Sequence, residues 1–147
     1  MPTISLSPLR EGLVFVAEIQ LDNISAVKGM LARQGKPIPP PLRLKALIDT
    51  GASVCATTKA NIEKLQLPAQ SNQSFSVRTA GGVIQSRRYH GALFFTGEPT
   101  IRTDLVTIQE TYIDEQTPFE FVLGMTALSR WDFRYARVEQ KMTIESS

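Results

Sequence analysis

Ala46-Leu47-Ile48-Asp49-Thr50-Gly51-Ala52-Ser53 is the stretch on which the reading of this chain turns. Three apolar residues deliver a carboxylate straight into a turn of small and hydroxylated residues. Gly51 lets the backbone approach a ligand or a second chain closely, and its amide can donate to the carboxylate. The Ser53 hydroxyl is placed to donate another hydrogen bond. An ordinary strand-to-turn corner also draws on Asp, Thr and Gly. A bare Asp-Thr-Gly arises in roughly one random chain of this size in fifty, so its surroundings must carry the case.

Outward from that stretch the periodicity is that of strands. Leu13, Phe15, Ala17, Ile19 and Leu21 alternate with Val14, Val16, Glu18 and Gln20, a period of two with one apolar face. Leu44 to Ile48 suits a short buried strand running into the turn at Gly51. Phe75 and Val77 alternate toward Gly81-Gly82, and Val83 to Phe95 continues beyond as one long strand. Thr79-Ala80-Gly81-Gly82 between them predicts a β-hairpin, because glycine supplies the positive φ that a tight turn needs. Asp104 to Ile113, Phe119 to Leu123, and one or two strands within Arg134 to Ile144 complete the set. Seven or more strands predict an all-β barrel or sandwich.

Helical signals are few. Ile24 to Arg33 suits a short helix, which Lys36-Pro37-Ile38-Pro39-Pro40-Pro41 forbids from continuing. Thr57 or Thr58 can cap a second helix through Leu65, ended by Pro68. Met125 to Trp131 is a third, brief candidate. With no convincing boundary, residues 1–147 are expected to form a single domain, with 24–41 a Pro-rich insertion between two strands.

Composition narrows the function classes. The chain has 147 residues, 42% hydrophobic, enough for one core. Sixteen Lys and Arg against fourteen Asp and Glu leave a formal charge of +2. That balance, with only Arg87-Arg88 adjacent, argues against nucleic acid and anionic membrane as partners. One Cys excludes an intrachain disulfide and a thiolate zinc cluster, and one His removes most His-based metal sites, so no metal or other cofactor is expected. Apolar runs reach about five residues, far short of a bilayer span. Without a basic start followed by an apolar run, a cytoplasmic location is expected.

The octapeptide closely resembles the active-site motif of aspartic proteases, which places apolar residues before Asp-Thr-Gly and small or hydroxylated ones after it. Phe121-Val122-Leu123-Gly124, followed by the short helix from Met125, resembles the family's hydrophobic-hydrophobic-Gly element. The hairpin at Thr79-Ala80-Gly81-Gly82 stands where that family keeps its flap. The three occur in the family's order and together cover Leu13 to Trp131. Aspartic proteolysis needs two carboxylates, and this chain carries one Asp-Thr-Gly; Asp22, Asp104, Asp114 and Asp132 lie in unrelated contexts. The consistent relative is the retropepsin-like, retroviral-type branch, in a single-domain bacterial or retroelement-like member, whose site forms at the twofold axis of a homodimer.

That resemblance implies roles. Asp49 would share a water and one proton with Asp49 of its partner. Thr50 would exchange hydrogen bonds across the axis, and Gly51 would support the carboxylate by its amide. Ala52 would line the cleft, Ser53 would hold the outer carboxylate oxygen, and Leu123 and Gly124 would back the loop. Thr79, Ala80, Gly81, Gly82 and Val83 would close as a flap over an extended peptide or protein substrate, bound as an added strand. Val83, Ile84 and Leu47 would favour hydrophobic residues around the cut. Activity should peak at mildly acidic pH, where the pair holds one proton.

The chain departs from compact retroviral enzymes in the 24–41 segment and in its longer C-terminal tail. Thr3 to Ser7 and Arg137 to Ile144 are the candidate terminal strands. Two rival readings stand beside the protease. Cys55 and His90 as a thiol pair need a contact that nothing in the sequence requires; Cys55 reads more simply as core and His90 as a strand residue. Trp131, Phe133 and Tyr135 alternate as core or interface. The stronger rival keeps the fold as a catalytically silent dimeric peptide-binding or adaptor module. An intact Asp-Thr-Gly-Ala-Ser weighs against it, because a pure binder has no need for paired, mutually repelling carboxylates.

Overall fold

The computed structural model describes residues 2–8 and 14–146. Among them lie eleven strands and three helices. The barrel strands are β2 (Val16–Asp22), β3 (Leu42–Ile48), β4 (Cys55–Thr57), β7 (Arg88–Phe95), β8 (Glu98–Glu110) and β9 (Phe121–Leu123). They close in the order β2-β3-β9-β4-β8-β7. Closure removes the exposed edges that an open sheet would present. The barrel fills with the inward halves of alternating strands: Ala17, Ile19 and Leu21 of β2, Leu44, Ala46 and Ile48 of β3, and Phe121 and Leu123 of β9 are all buried. The all-β barrel reading holds, and the apolar face of Phe15, Ala17, Ile19 and Leu21 is the core face. Leu13, assigned to the same face, lies outside the described residues.

Helix α1 (Ser25–Arg33) follows β2, and Asn23 ties its start into the molecule. The buried Asn23 side chain accepts from Ile24 N at 2.9 Å and donates to the carbonyls of Leu65 at 2.7 Å and Gln66 at 3.2 Å. Those last two groups end helix α2 (Lys59–Leu65), so one amide satisfies backbone at both helices. At the other end of α2 the Thr58 hydroxyl accepts from Asn61 N, which selects Thr58 rather than Thr57 as the cap. Helix α3 (Met125–Leu128) is shorter than the expected Met125 to Trp131.

The long strand expected from Val83 to Phe95 is two. β5 (Phe75–Thr79) and β6 (Gly82–Ser86) pair only with each other, while β7 starts at Arg88 inside the barrel. The break is at Ser86 and Arg87: the buried Ser86 hydroxyl donates to the Glu110 carbonyl, and Glu110 N donates to Arg87 O at 3.0 Å. Those bonds spend the local backbone on the end of β8. Strand β8 begins at Glu98 and ends at Glu110, earlier at both ends than Asp104 to Ile113. Its first half reads as polar, yet Ile101 and Thr103 are buried between exposed Arg102 and Asp104.

Arg134 to Ile144 divides into β10 (Asp132–Ala136) and β11 (Lys141–Glu145). β11 lies between β1 (Thr3–Leu6) and β10 in an antiparallel sheet of order β1-β11-β10, with Thr3 opposite Glu145 and Leu6 opposite Met142. The terminal strands thus pair with each other inside one protomer. Trp131 is core, edge-on to Phe95 at 5.4 Å, whereas Phe133 and Tyr135 lie on the surface of β10.

Candidate active site

β3 and β9 run parallel, with Ala46 opposite Phe121, Leu47 opposite Val122 and Ile48 opposite Leu123. Their registers bring the two predicted motifs side by side, and both strands then open into loops. Asp49 N donates to Leu123 O at 3.1 Å, and Ala52 N turns back on Asp49 O at 3.2 Å. Met125 N then donates to Ala52 O at 2.8 Å. The loop bearing Asp49 is therefore stitched to the segment 123–125 by main-chain bonds, which no side-chain substitution removes directly.

Gly124 explains why that stitching needs a glycine. A methyl there would sit 2.3 Å from the Val54 carbonyl oxygen and 2.9 Å from that of Ala52. Its φ of −99° is ordinary, so the demand is for space and not for an unusual backbone. Leu123 before it is fully buried and forms the floor.

The Asp49 carboxylate is half-buried, and its Oδ1 accepts from Gly51 N at 2.9 Å. Among the described residues no ion pair engages it, so most of its acceptor capacity is free for a water, a proton or a ligand. Thr50, Gly51 and Ser53 are exposed, and Ala52 is half-buried. The Ser53 hydroxyl, expected to support the carboxylate, makes no hydrogen bond to it within the protomer.

A second layer was not foreseen. The Thr126 hydroxyl accepts from Cys55 N at 3.0 Å and donates to Thr107 O at 3.1 Å, fastening the end of the loop to α3 and β8. Thr57 Oγ1 donates to Glu120 O at 2.8 Å and accepts from Asn61 Nδ2 at 3.1 Å, locking β4 to the chain entering β9. Thr126 lies two residues beyond Gly124; a hydroxyl so close to the Gly element is the one signal that could have marked it.

The flap candidate is a real hairpin. Thr79 faces Gly82 across the turn, its hydroxyl accepting from Gly81 N at 3.1 Å and donating to Gly82 O at 2.9 Å. Gly82 adopts φ +105°, which side-chain-bearing residues rarely take. Ala80 and Gly81 are exposed, and Val83 is 64% exposed. At the base the Arg88 guanidinium stacks on the Phe75 ring at 4.8 Å.

The thiol alternative loses its chemistry. Cys55 is buried, and burial, outweighing the Thr126 hydrogen bond and the backbone at Gly124 and Ala127, pushes its thiol above the usual 9.0. A nucleophilic cysteine needs the opposite shift. His90 lies on β7, with β8 between it and the strand of Cys55. Among the described residues no group of three or more His, Cys, Asp or Glu is arranged to hold a metal ion. No helix there is long and apolar enough to cross a membrane.

No curated protein matches the sequence. A retropepsin-like aspartic protease from Rickettsia conorii has a similar structure, with TM-score 0.61 and 18% identity over 98% of this chain and 90% of that one. The simian foamy virus protease aligns over 78% of this chain and 91% of its own at 18% identity, TM-score 0.43. The EIAV protease solved with the inhibitor HBY-793 aligns over 59% and 75% at 20% identity, TM-score 0.38. The first of these shows a shared fold. Residues 42–130, which run from β3 through both motifs and the flap-candidate hairpin to the end of the Gly element's helix, match the family described as "gag-polyprotein putative aspartyl protease", and the chain belongs to that family of retropepsin-like aspartic proteases.

Proposed function

We propose that this protein is an endopeptidase that cuts extended, hydrophobic-flanked peptides with a water activated between Asp49 of one protomer and Asp49 of its partner. The observation that carries the reading is the Asp49 loop: a carboxylate with one oxygen on the Gly51 amide, in a backbone braced by Gly124. Two such carboxylates brought close cannot both hold a charge, so one keeps a proton. The ionised member takes a proton from water as the oxygen attacks the peptide carbonyl. The protonated member gives its proton to the carbonyl oxygen, and collapse of the resulting diol passes a proton to the departing amine. Activity is then bell-shaped in pH, lost when the pair holds two protons and again when it holds none.

A second protomer is required because one chain supplies one Asp-Thr-Gly. Exposed Thr50 and Gly51 suit the meeting surface. The outer edge of β10, which among the described residues pairs with no strand of its own protomer, suits a second seam. Thr79 to Val83 form the flap, which excludes water from the bound peptide. Ser53 would support the outer carboxylate oxygen only after the loop adjusts on dimerisation or binding.

The test is digestion of a complex peptide library by wild type and by Asp49→Ala, from pH 4 to 7, read by mass spectrometry. Cuts confined to wild type, with apolar residues flanking them, support the reading. A stable dimer that cuts nothing would instead make the chain a peptide-binding module.

A further inference from the structure

Adjacent glycines at the flap tip are glycine for different reasons. Gly82 has φ +105° and open space around it, so its backbone demands the residue. Gly81 has no positive φ. What it lacks is room: a methyl at Gly81 would meet two Tyr112 ring carbons at 3.0 Å and a third at 3.3 Å. Its three nearest heavy atoms all belong to that ring. The tip of the hairpin therefore rests against an aromatic ring, which would have to shift by a few tenths of an ångström to admit a side chain at Gly81.

Tyr112 stands in the chain leaving β8, two residues beyond Glu110. Glu110 itself accepts the Ser86 hydroxyl at the flap base. One short segment thus holds the hairpin at both ends. Between these points Ile84 of β6 borders an open cavity of about 310 Å³ whose lining includes Tyr112, Ile113, Thr58 and Ala60. Tyr112 is 48% exposed, so its ring contributes little to the core and is free to act on the flap.

We infer that Tyr112 is a positioning residue that seats the flap tip, holding Gly81 at a set height and so pre-organising the hairpin for substrate. The inference rests on the protease reading for its effect on cutting, but not for its effect on the flap. A flap held down in advance is present in its binding-competent form more of the time; an unseated one taxes binding by the fraction lost. The ring should therefore act on KM more than on kcat.

The test combines amide hydrogen exchange of residues 79–83 in the free protein with kinetics on a peptide taken from the library digest. Tyr112→Ala should speed flap exchange by about fivefold and raise KM by a similar factor, with kcat within about twofold. Tyr112→Phe, which keeps the ring face, should retain slow exchange. Gly81→Ala should loosen the flap when Tyr112 is present and change little in the Tyr112→Ala background, since the ring supplies the three atoms nearest the methyl. Unchanged exchange in Tyr112→Ala, or an equal effect of Gly81→Ala in both backgrounds, would overturn the seat. If wild type cuts no peptide, the protease reading falls, while the exchange arm still decides whether the ring seats the flap.

Discussion

The loop carrying Asp49 and the hairpin carrying Gly81 are built on opposite plans. The first is fastened by main-chain bonds to Leu123 and Met125, by a hydroxyl at Thr126, and by a carbonyl-to-glycine contact that admits no side chain at residue 124. The second pairs only with itself, carries an exposed tip, and touches the rest of the molecule at its base and at one ring. On the proposed reading, a reacting carboxylate must be placed to a fraction of an ångström, whereas a flap must open. The same chain spends its buried bonds on one and withholds them from the other. Substitutions at the groups that brace the loop, Gly124 and Thr126, should therefore be felt by the whole fold, and those in the hairpin only locally.

The largest effect should come from Asp49→Asn. Cutting should drop by about a thousandfold or more, since a group acting in proton transfer is lost, while the melting temperature stays at or above that of wild type. A variant that still cuts would remove Asp49 from the chemistry. Gly124→Ala should come next, because its methyl has nowhere to go but into the Val54 carbonyl. Overpacking of that kind costs about 3 kcal/mol, readable as a lower denaturant midpoint. Thr126→Val keeps the shape but strands the Cys55 amide, and should cost about 2 kcal/mol by the same measurement.

Gly82→Ala sharpens the contrast from the other side. Forcing a side chain into φ +105° strains the turn by about 1 kcal/mol, but the hairpin opens independently of the barrel. Faster hydrogen exchange should appear at residues 79–83 with the global midpoint unmoved. A global loss equal to that of Gly124→Ala would erase the distinction. The smallest effect is in pH. The folded thiol of Cys55 is raised above 9.0 by burial, so the unfolded chain ionises first as pH rises. The stability it contributes is complete below that value and declines above it. Cys55→Ala should show a flatter loss of stability from pH 9 upward.

Much of this architecture is legible in the sequence. The face formed by Phe15, Ala17, Ile19 and Leu21 reads directly because a strand with one buried side imposes a period of two. The motif at Asp49 reads from local chemistry and the Gly element at Gly124 from its resemblance to the aspartic protease family, while their meeting follows from a parallel pairing that sequence alone does not register. What escaped was non-local. β4 is three residues long and carries no period, so only its partners β8 and β9 define it. The break at Arg87 is made by a hydroxyl-to-carbonyl bond to Glu110, 24 residues away from Ser86, which no window on the sequence contains. Tyr112 escaped for the same reason: its ring matters because of where the hairpin folds, not because of its neighbours in the chain.

The most direct test of the shared site is mixing. Wild type held at constant concentration is equilibrated with increasing Asp49→Asn protomer, and peptide cutting is followed. If each site needs an Asp49 from two chains, a threefold excess of the variant should leave about a quarter of the wild-type activity, since random pairing leaves only that share of wild-type chains with a wild-type partner. Activity that stays constant whatever the excess would show that one protomer cuts alone, and the paired-carboxylate account would be wrong.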